Sequence, residues 1–115
     1  MDACRRNHRV DVRLRTVYHD EIDADESDTL MSNLSAGGCF IRTTRMLPPG
    51  APIRVKFELP GRTDPVNATG RVRWVEESDD PEERGMGVQF QDIEEADLLA
   101  LKEFIAGKLE TELLW

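Results

Sequence analysis

Hydrophobic and polar residues alternate along much of the chain, and a period of two residues predicts β-strands. The segment 10–18 carries Val, Leu and Tyr side chains on one face, and the segment 53–59 shows the clearest alternation. The segment 66–76 is a third predicted strand, in which Gly70 indicates a bulge or a bend. Three shorter strands are predicted at 29–33, 39–43 and 85–91.

The pattern changes near the C-terminus, where apolar residues recur at spacings of three and four. Leu98, Leu101, Phe104 and Ile105 follow this spacing, which predicts an amphipathic helix over 93–112. Acidic residues at its start favour the helix, because they complement the positive end of its dipole. Six strands followed by one helix predict a mainly β fold, a closed six-stranded antiparallel barrel with a C-terminal α-helix, since closure removes exposed strand edges.

The length of 115 residues is that of a single domain with a modest core. We expect an Arg-rich N-terminal arm over 1–9, a barrel over 10–92 and the helix over 93–112. The predicted core consists of the inward positions of the strands: Val12, Leu14, Phe40, Val55, Phe57, Val72, Trp74, Val88 and Phe90.

Charge is distributed unevenly along the chain, whose net charge is −8. Residues 1–15 contain five Arg and two Asp, a net charge of +3, whereas the remainder carries −11. An acidic protein is a poor partner for a nucleic acid polymer, which requires a broad basic face. A compact basic arm suits a small dianion, and the alternative is a solvated basic tail.

Several other classes of function find little support in the sequence. No apolar run approaches the roughly 18 residues of a membrane span, so we expect no membrane insertion. Cys4 and Cys39 lack metal-ligand spacing, which predicts reduced thiols in a cytoplasmic protein rather than a zinc site. The acidic segment 19–28 lacks the spacing of an EF-hand and is predicted to be a solvated loop. His8 and His19 are the only histidines and no nucleophile motif occurs, so we predict a protein that is not an enzyme and has no cofactor.

Two short motifs point to a ligand. The stretch Asn33–Gly38 reads Asn-Leu-Ser-Ala-Gly-Gly, which forms either an ordinary tight turn or a turn that presents polar groups to a small molecule. The stretch Arg5–Arg9 reads Arg-Arg-Asn-His-Arg and precedes the first strand. Together, Arg-x-x-x-Arg followed by Asn-x-Ser-x-x-Gly resembles the pattern RxxxR and [D/N]xSxxG of the PilZ domain family. The likeness covers roughly residues 5–106.

This resemblance implies a six-stranded barrel and a receptor for the bacterial second messenger cyclic di-GMP. By the same resemblance, Arg5 and Arg9 grip the ligand, and Arg6 stacks on it or pairs with it. Such roles suit Arg, which matches the O6 and N7 edge of guanine, pairs with phosphate and stacks on flat rings.

The turn motif supplies the other implied contacts. Asn33 and Ser35 would hydrogen-bond a guanine from the barrel surface, and Gly38 would keep the turn open. Asn stands at position 33 where Asp is commoner in the family, and an amide accepts through only one oxygen.

The resulting hypothesis is a cyclic di-GMP receptor and adaptor. The ligand orders the arm on the barrel and so changes the surface offered to an unidentified effector protein in bacterial signalling. The alternative is a PilZ-like protein–protein interaction domain that binds no nucleotide. One ligand molecule or an intercalated pair are both compatible with the sequence.

Overall fold

Six strands close into an antiparallel barrel, and one helix follows them. The computed structural model describes residues 9–20 and 27–113. The strands are β1 (Val10–Asp20), β2 (Ser27–Ser35), β3 (Gly38–Arg42), β4 (Pro52–Phe57), β5 (Val66–Glu76) and β6 (Gly85–Ile93), and the helix is α1 (Glu95–Leu113). Their order around the barrel is β1-β2-β3-β6-β5-β4, with β4 pairing back onto β1. The predicted closed barrel with a C-terminal helix is therefore confirmed.

The barrel interior is filled by the alternating apolar positions of the strands. On β4, Ile53, Val55 and Phe57 are buried while Arg54 and Lys56 are exposed, as the alternation predicts. Each fully buried side chain of this size contributes roughly 1.5–3 kcal/mol through its removal from water. Six of the nine predicted core residues are buried: Val12, Leu14, Val55, Phe57, Val72 and Val88.

Trp74 is not a core residue, and its prediction is wrong for a specific reason. The register of β5 against β6 shifts between Val72 and Trp74, so Arg73 is an extra residue in the ladder. A bulge of this kind reverses the side-chain alternation beyond it. Val75 is consequently the half-buried residue, and Trp74 lies outside with 41% of its surface exposed.

Two predicted core phenylalanines are only half-buried. On β3 the inward residues are Cys39 and Ile41, so Phe40 between them lies on the outer face. Phe90 packs at the margin of the core, where its ring is 6.3 Å from that of Phe57.

The irregularity predicted at Gly70 is present as a shift in strand register, in which Gln91 of β6 is the extra residue. The register of β5 shifts between Thr69 and Gly70, where the backbone of β6 comes close. A Cβ atom placed on Gly70 would lie 2.0 Å from the carbonyl oxygen of Gln89.

Some elements are longer than their sequence patterns suggest. β1 and β2 continue into the predicted acidic loop, because Tyr18 pairs with Ser27, and residues 21–26 of that loop lie outside the described residues. The helix begins at Glu95, two residues later than predicted, and continues past Gly107 to Leu113.

The helix is held against the barrel by apolar packing and one ion pair. Leu101 and Ile105 are buried against the core. Asp97, in the acidic first turn, accepts hydrogen bonds from Arg62 Nη2 at 2.8 Å and from the Asn67 backbone N–H at 3.3 Å. Within residues 9–20 and 27–113, no helix has the length and apolar character that crossing a bilayer requires.

Candidate ligand-binding site

The second sequence motif forms the tight hairpin between β2 and β3. Ser35 pairs with Gly38 across a turn made of Ala36 and Gly37. The Ser35 hydroxyl accepts a hydrogen bond from the Gly37 N–H at 3.1 Å and donates to the Gly38 carbonyl at 3.4 Å. Ser35 is only 2% exposed, so in this structure its hydroxyl shapes the turn. Its direct contact with a guanine stays a prediction.

Gly38 is required by close packing between two strands. A Cβ atom at this position would lie 2.2 Å from the carbonyl oxygen of Val88 on β6. Among the described residues, positive φ angles occur at Gly50 and Gly61 and not at Gly38. The structural role of Gly38 is thus to let β6 approach the end of the hairpin, which also receives a backbone hydrogen bond from Phe90 N–H to Gly37 O at 2.9 Å.

The two sequence motifs meet at one hydrogen bond. Arg9 Nη1 donates to Asn33 Oδ1 at 2.7 Å across 24 residues of sequence. The pairing of Asp11 with Asn33 brings the start of β1 beside the hairpin and so places Arg9 there. Because a guanidinium has donors and no acceptor, this contact also fixes which end of the Asn33 amide faces Arg9.

The structure thus brings together Arg9 and Asn33, with Ser35 and Gly38 shaping the hairpin beneath them. Arg5 and Arg6 lie outside the described residues, and their roles stay predictions.

The sequence analysis missed an aromatic surface near Asn33. It is reached from Asn33 through successive cross-strand residue pairs. Asn33 pairs with Phe40, Phe40 with Gly87, and Gly87 with Trp74. The rings of Phe40 and Trp74 are 6.2 Å apart and inclined by 29°. Neighbouring strands are about 4.8 Å apart, so this aromatic pair begins one strand from Asn33.

Gly87 makes room for the indole, since a Cβ atom there would lie 2.2 Å from the Trp74 ring. A glycine within a strand, such as Gly87, is the one sequence feature that indicates the close approach of another group to the backbone at that point. The bulge that turns Trp74 outward left no such signal.

The thiol of Cys39 lies in the interior behind the hairpin. Burial raises the pKa of the Cys39 thiol, and the positive charge of Arg9 opposes this only in part. Cys39 is a free buried thiol. In the part of the chain that the structure describes, no cluster of His, Cys, Asp and Glu is suited to hold a metal ion.

Comparison with known proteins agrees with this architecture. A search of curated protein sequences found no match. Among solved structures, the Bacillus subtilis inhibitor of motility MotI (DgrA) is similar with a TM-score of 0.78 and 25% identity over 98% of this chain. This chain spans 52% of the length of that protein.

Two further structures share the fold. The PilZ domain of YcgR from Escherichia coli, solved with c-di-GMP, has a TM-score of 0.67 and 12% identity, with 93% of this chain and 92% of that chain covered. The PilZ domain of CeSA from a cellulose-synthesizing bacterium has a TM-score of 0.59 and 15% identity, with 91% and 98% covered. The sequence profile of the PilZ domain matches residues 4–107, nearly the whole chain, and the chain therefore belongs to the PilZ domain family.

Proposed function

We propose that this domain is a receptor for cyclic di-GMP and transmits binding of the ligand to a protein partner. The hydrogen bond between Arg9 and Asn33 carries the proposal, because it joins the arginine motif to the turn motif on the outside of the barrel. Membership of the PilZ family and the fold shared with the YcgR domain that was solved with c-di-GMP support it.

The chemistry of the ligand suits the groups at this site. Cyclic di-GMP offers two guanines and two phosphates, and Arg is matched to the O6 and N7 edge of guanine and to phosphate oxygens. On binding, Asn33 Oδ1 accepts from the N1–H or N2–H of a guanine, and Arg9 turns its donors from Asn33 to the ligand. Arg5 and Arg6 supply further donors from the arm.

The aromatic pair adds a surface for stacking. A guanine held at Asn33 lies next to Phe40, the cross-strand partner of Asn33, and Phe40 in turn contacts Trp74. Every base presents a flat face that stacks on an aromatic ring. Trp74 is available for this contact because the β5 bulge turns it outward.

The output of binding is a changed surface. Fastening the arm costs roughly 1–2 kcal/mol per ordered residue, which several charged contacts offset. The arm and the bound nucleotide then present a new face to an effector protein in the cytoplasm, without a catalytic step.

Calorimetric titration with cyclic di-GMP tests the proposal. We expect saturable binding by the parent protein and a loss on the order of 10- to 100-fold in Arg9→Ala and in Arg5→Ala, since a charged hydrogen bond contributes roughly 1.5–3 kcal/mol. Ser35→Ala loses less, because a neutral hydrogen bond contributes only about 1 kcal/mol.

Arg54→Ala is the matched control, because Arg54 is an exposed arginine on β4, away from the hairpin in the strand order. It should bind like the parent. If Arg5→Ala and Arg9→Ala also bind like the parent, the site is wrong. If the parent itself does not bind, the domain is an interaction module without nucleotide.

A further inference from the structure

A carboxylate lies directly beside Asn33 on the outside of the barrel. Asp11 on β1 is the cross-strand partner of Asn33 on β2. Its neighbours Val10 and Val12 are buried in the core, whereas Asp11 is exposed, so its side chain lies on the outer face. The Cβ atoms of directly opposite residues in an antiparallel pair are about 4.5–5.5 Å apart. The carboxylate of Asp11 and the amide of Asn33 can therefore reach the same small group.

The two side chains differ in the contacts that they already make. Asn33 Oδ1 accepts a hydrogen bond from Arg9 Nη1 at 2.7 Å. In the part of the chain that the structure describes, no hydrogen bond or ion pair engages the Asp11 carboxylate. Asp11 thus offers two acceptor oxygens beside Asn33 without giving up an existing contact.

A guanine requires more acceptors than Asn33 supplies. Its Watson–Crick edge carries two neighbouring donors, N1–H and the N2 amino group, and a base read on this edge is recognised through hydrogen bonds to such groups. The hydroxyl of Ser35 is 2% exposed and is engaged within the hairpin. Of the two residues that pair with Asn33, Phe40 has no acceptor and Asp11 has a carboxylate. Asp11 is therefore placed to accept the second donor.

A carboxylate beside a ligand with two phosphates requires compensation, because like charges repel. Arg9 and Arg13 lie two residues before and two residues after Asp11, and both are exposed on the same face of β1. Their guanidinium groups offset the charge of Asp11 toward the phosphates and leave its oxygens available to the base.

We propose that Asp11 selects guanine: its carboxylate accepts one donor of the Watson–Crick edge while Asn33 Oδ1 accepts the other. This inference rests on the proposed receptor function and names the residue that gives the receptor its base specificity. An adenine presents an acceptor at N1 and has no amino group at C2. The carboxylate of Asp11 then faces an acceptor instead of a donor, and the site rejects adenine.

The test compares cyclic di-GMP with cyclic di-AMP, which has the same phosphates and riboses. Displacement of fluorescently labelled cyclic di-GMP by each unlabelled nucleotide measures both affinities, and the parent should prefer cyclic di-GMP. Asp11→Ala should lose on the order of 10-fold or more in affinity for cyclic di-GMP, as expected for a hydrogen bond to a charged group. It should lose no affinity for cyclic di-AMP, so the ratio of the two affinities falls.

The direction of the change separates base recognition from a general effect of charge. Removing a negative charge near an anionic ligand lowers repulsion, so loss of a carboxylate that does not touch the base leaves binding equal or tighter. Glu76→Gln is the matched control, because Glu76 is an exposed carboxylate on β5, three strands from Asn33 in the strand order. It should bind cyclic di-GMP as tightly as the parent or slightly more tightly.

Asp11→Asn keeps the shape of the side chain and serves if Asp11→Ala fails to fold. Its amide oxygen is a neutral acceptor, so the loss in affinity for cyclic di-GMP should be smaller, about 3- to 10-fold.

The inference is overturned if the parent binds cyclic di-GMP and both Asp11 variants bind it at least as tightly. It is also overturned if the variants weaken both nucleotides equally, because such a loss does not depend on the base, or if the parent binds both nucleotides equally. Each of these results leaves the receptor function in place. A parent that binds neither nucleotide rejects the receptor function together with the selection by Asp11.

Discussion

The Asn33 side chain has a single acceptor oxygen, for which Arg9 and the proposed guanine compete. Arg9 occupies Oδ1 in this structure, and the proposed guanine contact uses the same atom. Binding therefore replaces one hydrogen bond by another at this position, and the net gain from Asn33 is small. A carboxylate has two oxygens and accepts from Arg9 and the guanine together.

Asn33→Asp should consequently bind cyclic di-GMP more tightly than the parent, by roughly 5- to 10-fold, since an added charged hydrogen bond exceeds a neutral one by about 1 kcal/mol. Calorimetric titration measures the change. Asn33→Ala is the comparison and should bind only slightly more weakly than the parent, because the net gain from Asn33 is small. Equal losses in both variants would show that the ligand needs the amide N–H₂ of Asn33 rather than its oxygen.

At the scale of the strand, the bulge on β5 moves an indole from the core side to the outer face. The same bulge makes Trp74 a neighbour of Phe40, with Gly87 beneath the ring. One extra residue in a ladder thus brings an aromatic side chain to the outer surface without changing the strand order of the barrel.

Trp74→Ala should weaken cyclic di-GMP binding by about 5- to 150-fold, because stacking on an aromatic side chain contributes roughly 1–3 kcal/mol per base. Trp74→Phe keeps an aromatic face and should retain most of the affinity. Circular dichroism of both variants should match the parent. Parent-like affinity in Trp74→Ala would exclude the aromatic pair from the site.

Two glycines should respond in opposite ways to the same substitution. Gly38→Ala places a Cβ against the Val88 carbonyl, and overpacking against backbone costs at least about 1–3 kcal/mol. Gly107 lies within α1 with no atom near its missing Cβ, so Gly107→Ala should stabilise the protein by roughly 0.5–1 kcal/mol. Urea denaturation measures both free energies of unfolding. A stable Gly38→Ala variant would contradict the close approach of β6.

At the scale of the whole molecule, the proposed function depends on how the N-terminal segment meets a closed barrel. The barrel is closed and its core is continuous from β1 to α1, so it has little freedom to transmit a signal by rearranging. The segment that contains Arg5 and Arg6 is joined to this barrel where Arg9 contacts Asn33. A change at that junction alters the outer surface and leaves the core intact.

Saturation with cyclic di-GMP should therefore increase the protection of amides in residues 1–8 from hydrogen exchange, while amides in β4 remain unchanged. Mass spectrometry of peptides from the two regions measures the difference. Protection of residues 1–8 that is equally strong with and without ligand would contradict the ordering step, even if the ligand binds.

The regular strands were predictable because their side chains report burial directly. Alternation on β4 identified which residues point inward, and the spacing of Leu101 and Ile105 identified the buried face of α1. Gly70 indicated the register shift at its position, since only a glycine fits against the Gln89 carbonyl. The motif residues Arg9 and Asn33 were identified as well, although their contact was not.

What the linear pattern left open depends on how strands pair. The outward position of Trp74 follows from one register shift against β6. No feature of the neighbouring sequence indicates this shift. The meeting of Arg9 with Asn33, and the position of Asp11 opposite Asn33, follow from the pairing of β1 with β2. Local composition governs whether a segment is strand or helix and which face is apolar. Contacts between residues distant in sequence depend on register, which arises only when the whole barrel closes.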